Sequence, residues 1–279
     1  MDILSAVIFG IIQGAAEFLP VSSSAHLALC HSFFGLIPPD SYPGFDVLLH
    51  LGTLAAVAAV YRKDLYGILK GLFTAPKKLL KNKFKLDRLE YNERLSVFSV
   101  IATIPAVAAA LLGMEELSDR LALYPFATGV LLIINGVMLI IADFCKEGDV
   151  TADKSGYIHA LGMGLFQAMA TVPGISRSGA TVTGGMLCGI KRQDAVRLSF
   201  LMSVPAILGA CVLKAPELIT SKPDLHTLCV YGIGCLTSAA AGLLAIKLLV
   251  FVSGRSKFRY FSFYCFAVGA YAIYRGVRG

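Results

Sequence analysis

Residues 13–26 read QGAAEFLPVSSSAH, a polar knot set between two short apolar runs. The arm entering it, Ile3 to Phe18, is marginal for crossing about 30 Å of hydrocarbon, and the arm leaving it is shorter still. The pattern predicts a re-entrant helical hairpin that goes in, turns at Pro20 and comes back. A second region has the same form: Tyr157 to Thr171 is apolar, and TVPGISRSGAT follows at 171–181. Irregular backbone at membrane depth is tolerated only where protein or a water-filled cavity surrounds it. The two knots are therefore where function is expected.

The rest of the chain fits lipid as solvent. Its 279 residues are 56% hydrophobic and 15% charged, with a mean hydropathy of +0.72, whereas a soluble domain is about a quarter charged. Six further segments are long enough to span, near 45–61, 95–113, 124–142, 196–214, 227–251 and 259–275. The fold expected is an all-α integral membrane protein of six transmembrane helices and two re-entrant hairpins. The net charge of +7 does not indicate nucleic acid, because it is concentrated at 62–94. Short basic loops mark the cytoplasmic side, so 62–94 is expected in the cytoplasm. Lys191, Arg192, Arg197, Arg255, Lys257 and Arg259 fit the same side, and Glu115, Glu116 and Asp119 the opposite one. Arg275 and Arg278 then fall outside, against the rule. No cleavable signal peptide is evident at the start. The seven cysteines are scattered without metal-ligand spacing and read as packing residues.

An internal repeat underlies the pattern. At an offset of 154, Gln13 aligns with Gln167, Glu17 with Thr171, Ser22 with Ser176, Ser23 with Arg177 and Ser24 with Ser178. Each copy, about 1–145 and about 156–277, holds one hairpin and three spans. Three is odd, so the second copy is expected to be inverted, with the hairpin tips meeting near the midplane.

The chemistry is in the knots. Gln13 and Glu17 are four apart on one helix face, and a carboxylate at that depth marks a functional site by default. Ser22, Ser23 and Ser24 offer a helix cap and spare hydroxyls. Ser23 and His26 are three apart, which puts a hydroxyl near an imidazole if the helix starts there. His31 and His50 read as hydrogen-bonded packing. In the second knot Gly174 lets backbone approach a ligand closely. Ser176, Ser178 and Thr181 offer hydroxyls, and Arg177 a cationic fork suited to phosphate oxygens. Two helix N-termini and Arg177 together predict an anion cradle.

At these residues the chain resembles the undecaprenyl-pyrophosphate phosphatase family of the bacitracin-resistance type. The matching patterns are E/Q-x-x-x-E-F-L-P-x-S-S-S/T-x-H, here Gln13 to His26, and P-G-x-S-R-S-G-A-T, here Pro173 to Thr181. The stretches Phe45 to Leu54 and Leu198 to Pro205 resemble it too, so the likeness spans nearly the whole chain. It departs at Gln13, where glutamate is usual, and at Ala25, where glycine is usual. The resemblance implies removal of the terminal phosphate of undecaprenyl pyrophosphate in a bacterial plasma membrane. It also implies a divalent cation, Mg2+ or Ca2+, with Glu17 as the ligand or bridge, and access from the extracytoplasmic side. Arg177 is expected to anchor the pyrophosphate, helped by Ser176 and Ser178. Ser23 is expected to attack, with Glu17 or His26 taking its proton; a phosphohistidine at His26 is the rival chemistry. Gln13, Ser22, Ser24, Gly174 and Thr181 complete the expected substrate contacts. The partner is the polyprenyl pyrophosphate lipid, not nucleic acid, and a homodimer is compatible with the sequence. The alternative function is a transporter that flips the phosphorylated lipid, which needs the cradle but no nucleophile. A non-catalytic scaffold leaves Glu17 and Arg177 without a reason.

Overall fold

The structure, a computed structural model, is described for residues 1–37, 41, 42, 44–254 and 258–278, without the side chains of 115, 217 and 218. These residues form eleven α-helices: α1 Ile3–Phe18, α2 Ser23–Phe34, α3 Phe45–Lys81, α4 Tyr91–Leu111, α5 Met114–Ala122, α6 Pro125–Phe144, α7 Tyr157–Met169, α8 Arg177–Leu187, α9 Arg192–Ser221, α10 Leu225–Ser253 and α11 Arg259–Arg278. Local sequence sets several starts. Asp2 accepts from the Ser5 N–H at 2.7 Å, and Asp224 from the Thr227 N–H at 2.9 Å, each satisfying a donor that the first turn leaves free.

All six expected spans lie on long helices. Among the described residues five are long and apolar enough to cross a membrane: α3, α4, α6, α9 and α10. Helix α11 has 20 residues but four tyrosines and arginines at both ends, which lower its apolar character. Large apolar side chains such as Leu111, Phe144, Val212 and Leu244 are exposed on these helices. The chain is a multi-pass membrane protein, since water does not tolerate that much exposed apolar surface.

The basic segment differs from expectation. Residues 62–81 are not loop; α3 continues through them after a kink at Tyr61 (φ −108°, ψ 25°). Leucine, alanine and lysine are good helix formers, and Gly67, Ile68, Gly71 and Ala75 pack inward from this stretch. The helix stops where Lys83 and Phe84 take left-handed φ of 52° and 61°. The acidic segment also differs, because it forms the short helix α5. Arg255 and Lys257, and the side chain of Glu115, lie outside the described residues.

Packing is between long neighbours. Helix α1 lies on α10, α7 on α4, α6 on α11 and α3 on α10. The α1–α10 contact is backbone-close: a Cβ on Gly14 would sit 2.3 Å from the Ser238 carbonyl oxygen. Small residues at such crossings let helices approach where lipid gives no hydrophobic drive. The core packs Phe18 edge-on to Phe200, with ring centroids 5.6 Å apart. That contact holds the end of α1 against α9.

Candidate active site

The two knots are the turns of two helical hairpins, α1–α2 and α7–α8, and they meet. In the first, Leu19 leaves the helix in extended conformation, and Ser22 caps α2 with a positive φ of 71°. A serine held there costs about 1–3 kcal/mol. The conformation aims its hydroxyl oxygen at two donors, the Ala25 N–H at 3.4 Å and the Gly174 N–H of the other turn at 3.2 Å. Gly174 itself has φ +104°, and a Cβ there would lie 2.6 Å from the Leu131 Cβ, so both backbone shape and space require glycine. Ser176 caps α8, accepting from the Gly179 N–H at 3.2 Å.

One side chain ties the turns together. Asn135 of α6 is fully buried. Its amide nitrogen donates to the Pro20 carbonyl at 2.9 Å, and its oxygen accepts from the Ser176 N–H at 2.9 Å. It therefore satisfies one backbone group from each hairpin, groups that are costly to bury unpaired.

The polar centre is an ion pair with a hydroxyl attached. Arg177 Nη2 donates to Glu17 Oε1 at 2.5 Å. The other carboxylate oxygen accepts from Ser23 Oγ at 2.9 Å and from Gln13 Nε2 at 3.1 Å. Gln13 also donates to His50 Nδ1 at 3.0 Å. Burial opposes the charge on Glu17, and Arg177 together with these two donors offsets it. Arg177 Nη1 is buried with no partner, so half of its fork is available for an anion. A cavity of about 170 Å³ opens here, lined by Glu17, Ser22, Ser23, Ser24, Ser176 and Arg177 with three apolar residues. The N-termini of α2 and α8 both border it. Donors of the first turn and partial positive charge thus face one small space.

The predicted residues divide into two layers. Those six polar residues form the wall. Gln13, Gly174, Ser178, Thr181 and His26 stand behind it, for visible reasons. Gln13 is spent on Glu17 and His50, and Gly174 on Ser22. Ser178 donates to the Leu19 carbonyl at 3.3 Å. Thr181 donates to the Arg177 carbonyl at 2.8 Å and lies 2.6 Å from Ser199 Oγ. His26 is held by its own surroundings: Nδ1 donates to the Ser22 carbonyl at 2.7 Å, and Nε2 accepts from the Tyr264 hydroxyl at 2.7 Å. The spacing argument joined Ser23 to His26, but the Ser23 hydroxyl turns to Glu17 instead. Asn135, Tyr264 and Ser199 carry no signal in the sequence that marks them, and His50 is hydrogen-bonded, to Gln13, as its sequence context suggests. The available signal was a lone amide or imidazole within an apolar helix, which is weak without a partner in view.

Chemically, the arrangement can bind a phosphate group by a guanidinium and two helix ends, and remove a proton from a serine beside it. Comparison with known proteins points the same way. Residues 6–271 match the model of the bacitracin resistance protein BacA family. An undecaprenyl-diphosphatase of Rubrobacter xylanophilus is 39% identical over 272 residues, 97% of each chain. One from Christiangramia forsetii is 38% identical over 98% of each chain, and one from Desulforapulum autotrophicum 34% over 99% of each. With its two motifs meeting in one cavity and its relatives matched along nearly their full length, this chain belongs to the bacitracin resistance protein BacA family.

Proposed function

We propose that this protein hydrolyses undecaprenyl pyrophosphate to undecaprenyl phosphate and inorganic phosphate. The observation that carries the reading is the Ser23–Glu17 hydrogen bond at the wall of a cavity whose only guanidinium keeps one nitrogen unpaired. In this reading the terminal phosphate takes Arg177, and Glu17 is released from the ion pair as a base. Ser23 Oγ bonds to the terminal phosphorus, and the bond from that phosphorus to the bridging oxygen breaks. The bridging oxygen leaves on undecaprenyl phosphate while the hydroxyl proton passes to Glu17 Oε2. Water then attacks the phosphoserine, Glu17 returns its proton to Ser23 Oγ as that bond breaks, and phosphate leaves. The helix ends and Arg177 stabilise the charge that develops on the phosphoryl oxygens. His26 stands behind the wall with both ring nitrogens engaged, Nδ1 on the Ser22 carbonyl and Nε2 on the Tyr264 hydroxyl, which favours serine over histidine as nucleophile.

The residues also bear on the divalent cation. Among the described residues no group of three or more Asp, Glu, His or Cys could hold a metal ion. Glu17 is the single carboxylate on the cavity wall. Magnesium binds through one or two carboxylates together with substrate phosphates, so this donor set fits a cation that arrives with the pyrophosphate. Such an ion, bound between Glu17 and the substrate, would neutralise phosphate charge.

The same reading gives the topology as six spans with two re-entrant hairpins, in two inverted repeats. It is supported by matching contacts: α1 on α10 pairs with α7 on α4, and α6 with α11 joins equivalent helices. The basic end of α3 belongs on the cytoplasmic side of the plasma membrane, and the site opens to the extracytoplasmic side. The direct test is phosphate release from undecaprenyl pyrophosphate by the purified protein, with magnesium, calcium or EDTA. Cation-dependent release supports the scheme; no release by folded protein under any condition overturns it.

A further inference from the structure

Two apolar cavities lie along α3 and α4, the first also reaching α9, and neither shares a wall residue with the Glu17–Arg177 site. One, of about 500 Å³, extends to Pro205 and Leu208. The other, of about 360 Å³, extends to Pro76 and Phe84. Leu72 and Val100 line both, so they form one trough. Ser96, Ser99 and Thr103 are its polar wall residues, and aliphatic side chains dominate the rest. Its chemistry suits a hydrocarbon chain.

One end of the trough is basic. Pro76 is followed by Lys77, Leu80 by Lys81, and Phe84 lies between Lys83 and Lys85. All four lysines are exposed, and among the described residues none of them takes part in an ion pair. Lys78 of the same run is committed to Glu90 and Glu93, at 3.0 and 2.8 Å. Asp87 is the other acid nearby in sequence, and Arg88 adjoins it. Phe73 and Phe84 are exposed beside these lysines, as aromatic residues are where a membrane meets water.

We infer that this trough is a binding site for an anionic phospholipid: one acyl chain lies along α3 and α4, and the phosphate of the headgroup rests on Lys77, Lys81, Lys83 and Lys85. The apolar wall accounts for a chain, and the uncommitted lysines account for a negative headgroup. A zwitterionic lipid satisfies the wall but gains little from the lysines. Basic residues next to a membrane attract anionic lipid, each adding several-fold to binding.

The sequence contains no tryptophan, so a single introduced tryptophan reports without background. Full-length Phe84→Trp protein is reconstituted with lipids brominated on their acyl chains, either phosphatidylglycerol or phosphatidylcholine. Leu80→Trp is a second reporter in the same trough, and Phe144→Trp on α6 is the control. At the first two positions brominated phosphatidylglycerol is expected to bind about fivefold or more tightly than phosphatidylcholine. Changing the four lysines to glutamine brings the two lipids to parity, and the control shows no preference. Equal quenching at both trough reporters, or a preference that survives the lysine changes, overturns the inference. So does displacement of brominated phosphatidylglycerol by equimolar polyprenyl phosphate, which makes the trough a substrate site. Quenching requires no turnover, so the result is independent of the phosphatase reading.

Discussion

The two hairpins have the same build and opposite chemistry. Each has an incoming helix, a proline-containing turn and a serine cap, and each carries a buried glutamine towards the end of its incoming helix. At the offset of 154, Ser23 on the first corresponds to Arg177 on the second, so a proton donor faces a cation. Gln13 has two partners, Glu17 and His50. Gln167 is equally buried, yet both its amide atoms lack a partner. At the same offset the equivalents of Glu17 and His50 are Thr171 and Val204, and neither is a hydrogen-bond partner of the Gln167 amide. The two hairpins share a scaffold, while Glu17 and Ser23 stand on one and Arg177 on the other. Neither hairpin is a site alone.

That division can be broken by mutation, and the largest effect is expected at the ion pair. Glu17→Gln and Arg177→Ala should each lower phosphate release by about 10³-fold or more, since one loses the base and the other the anchor. Removing one partner of a buried pair also destabilises, by about 3–5 kcal/mol, so the assay is read on variants whose folding is checked by thermal melting. Next is Ser23→Ala, expected to cost about 10²–10⁴-fold, against no more than a few-fold for its exposed neighbour in Ser24→Ala. Equal losses at both would remove the nucleophile from Ser23. The glutamines give the sharpest contrast. Gln13→Leu should lower kcat by roughly tenfold to a hundredfold by releasing Glu17 and His50, an expected loss of about 1–3 kcal/mol. Gln167→Leu removes an amide that makes no hydrogen bond, so its melting temperature should hold or rise and its activity persist. Asn135→Ala unpairs a backbone group in each turn and should lower stability by about 1–3 kcal/mol, with a fall in activity that follows. A small change is expected for Tyr264→Phe, a few-fold fall in kcat at unchanged KM, because it removes one hydrogen bond from a histidine that still has another.

Much of this was legible in the sequence because lipid is an unforgiving solvent. A glutamate or arginine in an apolar run stands out, so Glu17, Arg177 and the serine knots could be named, and span length located the six long helices. The basic segment departs from its sequence pattern because its lysines signal a loop, while its leucines and small residues carry α3 on to Lys81. Asn135 and Tyr264 were invisible for another reason. Each is one polar residue in an apolar helix, and its partners lie far off in sequence, 115 residues from Asn135 to Pro20 and 238 from Tyr264 to His26. Spacing rules reach only a few residues along a helix. For the same reason spacing pairs Ser23 with His26, its neighbour in sequence, whereas the hydroxyl points to Glu17 across the turn.

The contact between Glu17 and Arg177 spans 160 residues, and that separation sets a schedule. At about 5–20 residues per second, a ribosome takes roughly ten to thirty seconds after making the glutamate to make its arginine. The Gly174 N–H that holds Ser22 in its left-handed turn arrives equally late. During that interval the first hairpin carries a negative charge without Arg177, and a strained turn without the donor from the second hairpin. It is therefore expected to wait at the membrane surface or within the insertion machinery, wet and unfinished. The candidate site would then be among the last parts of the protein to settle during its own synthesis.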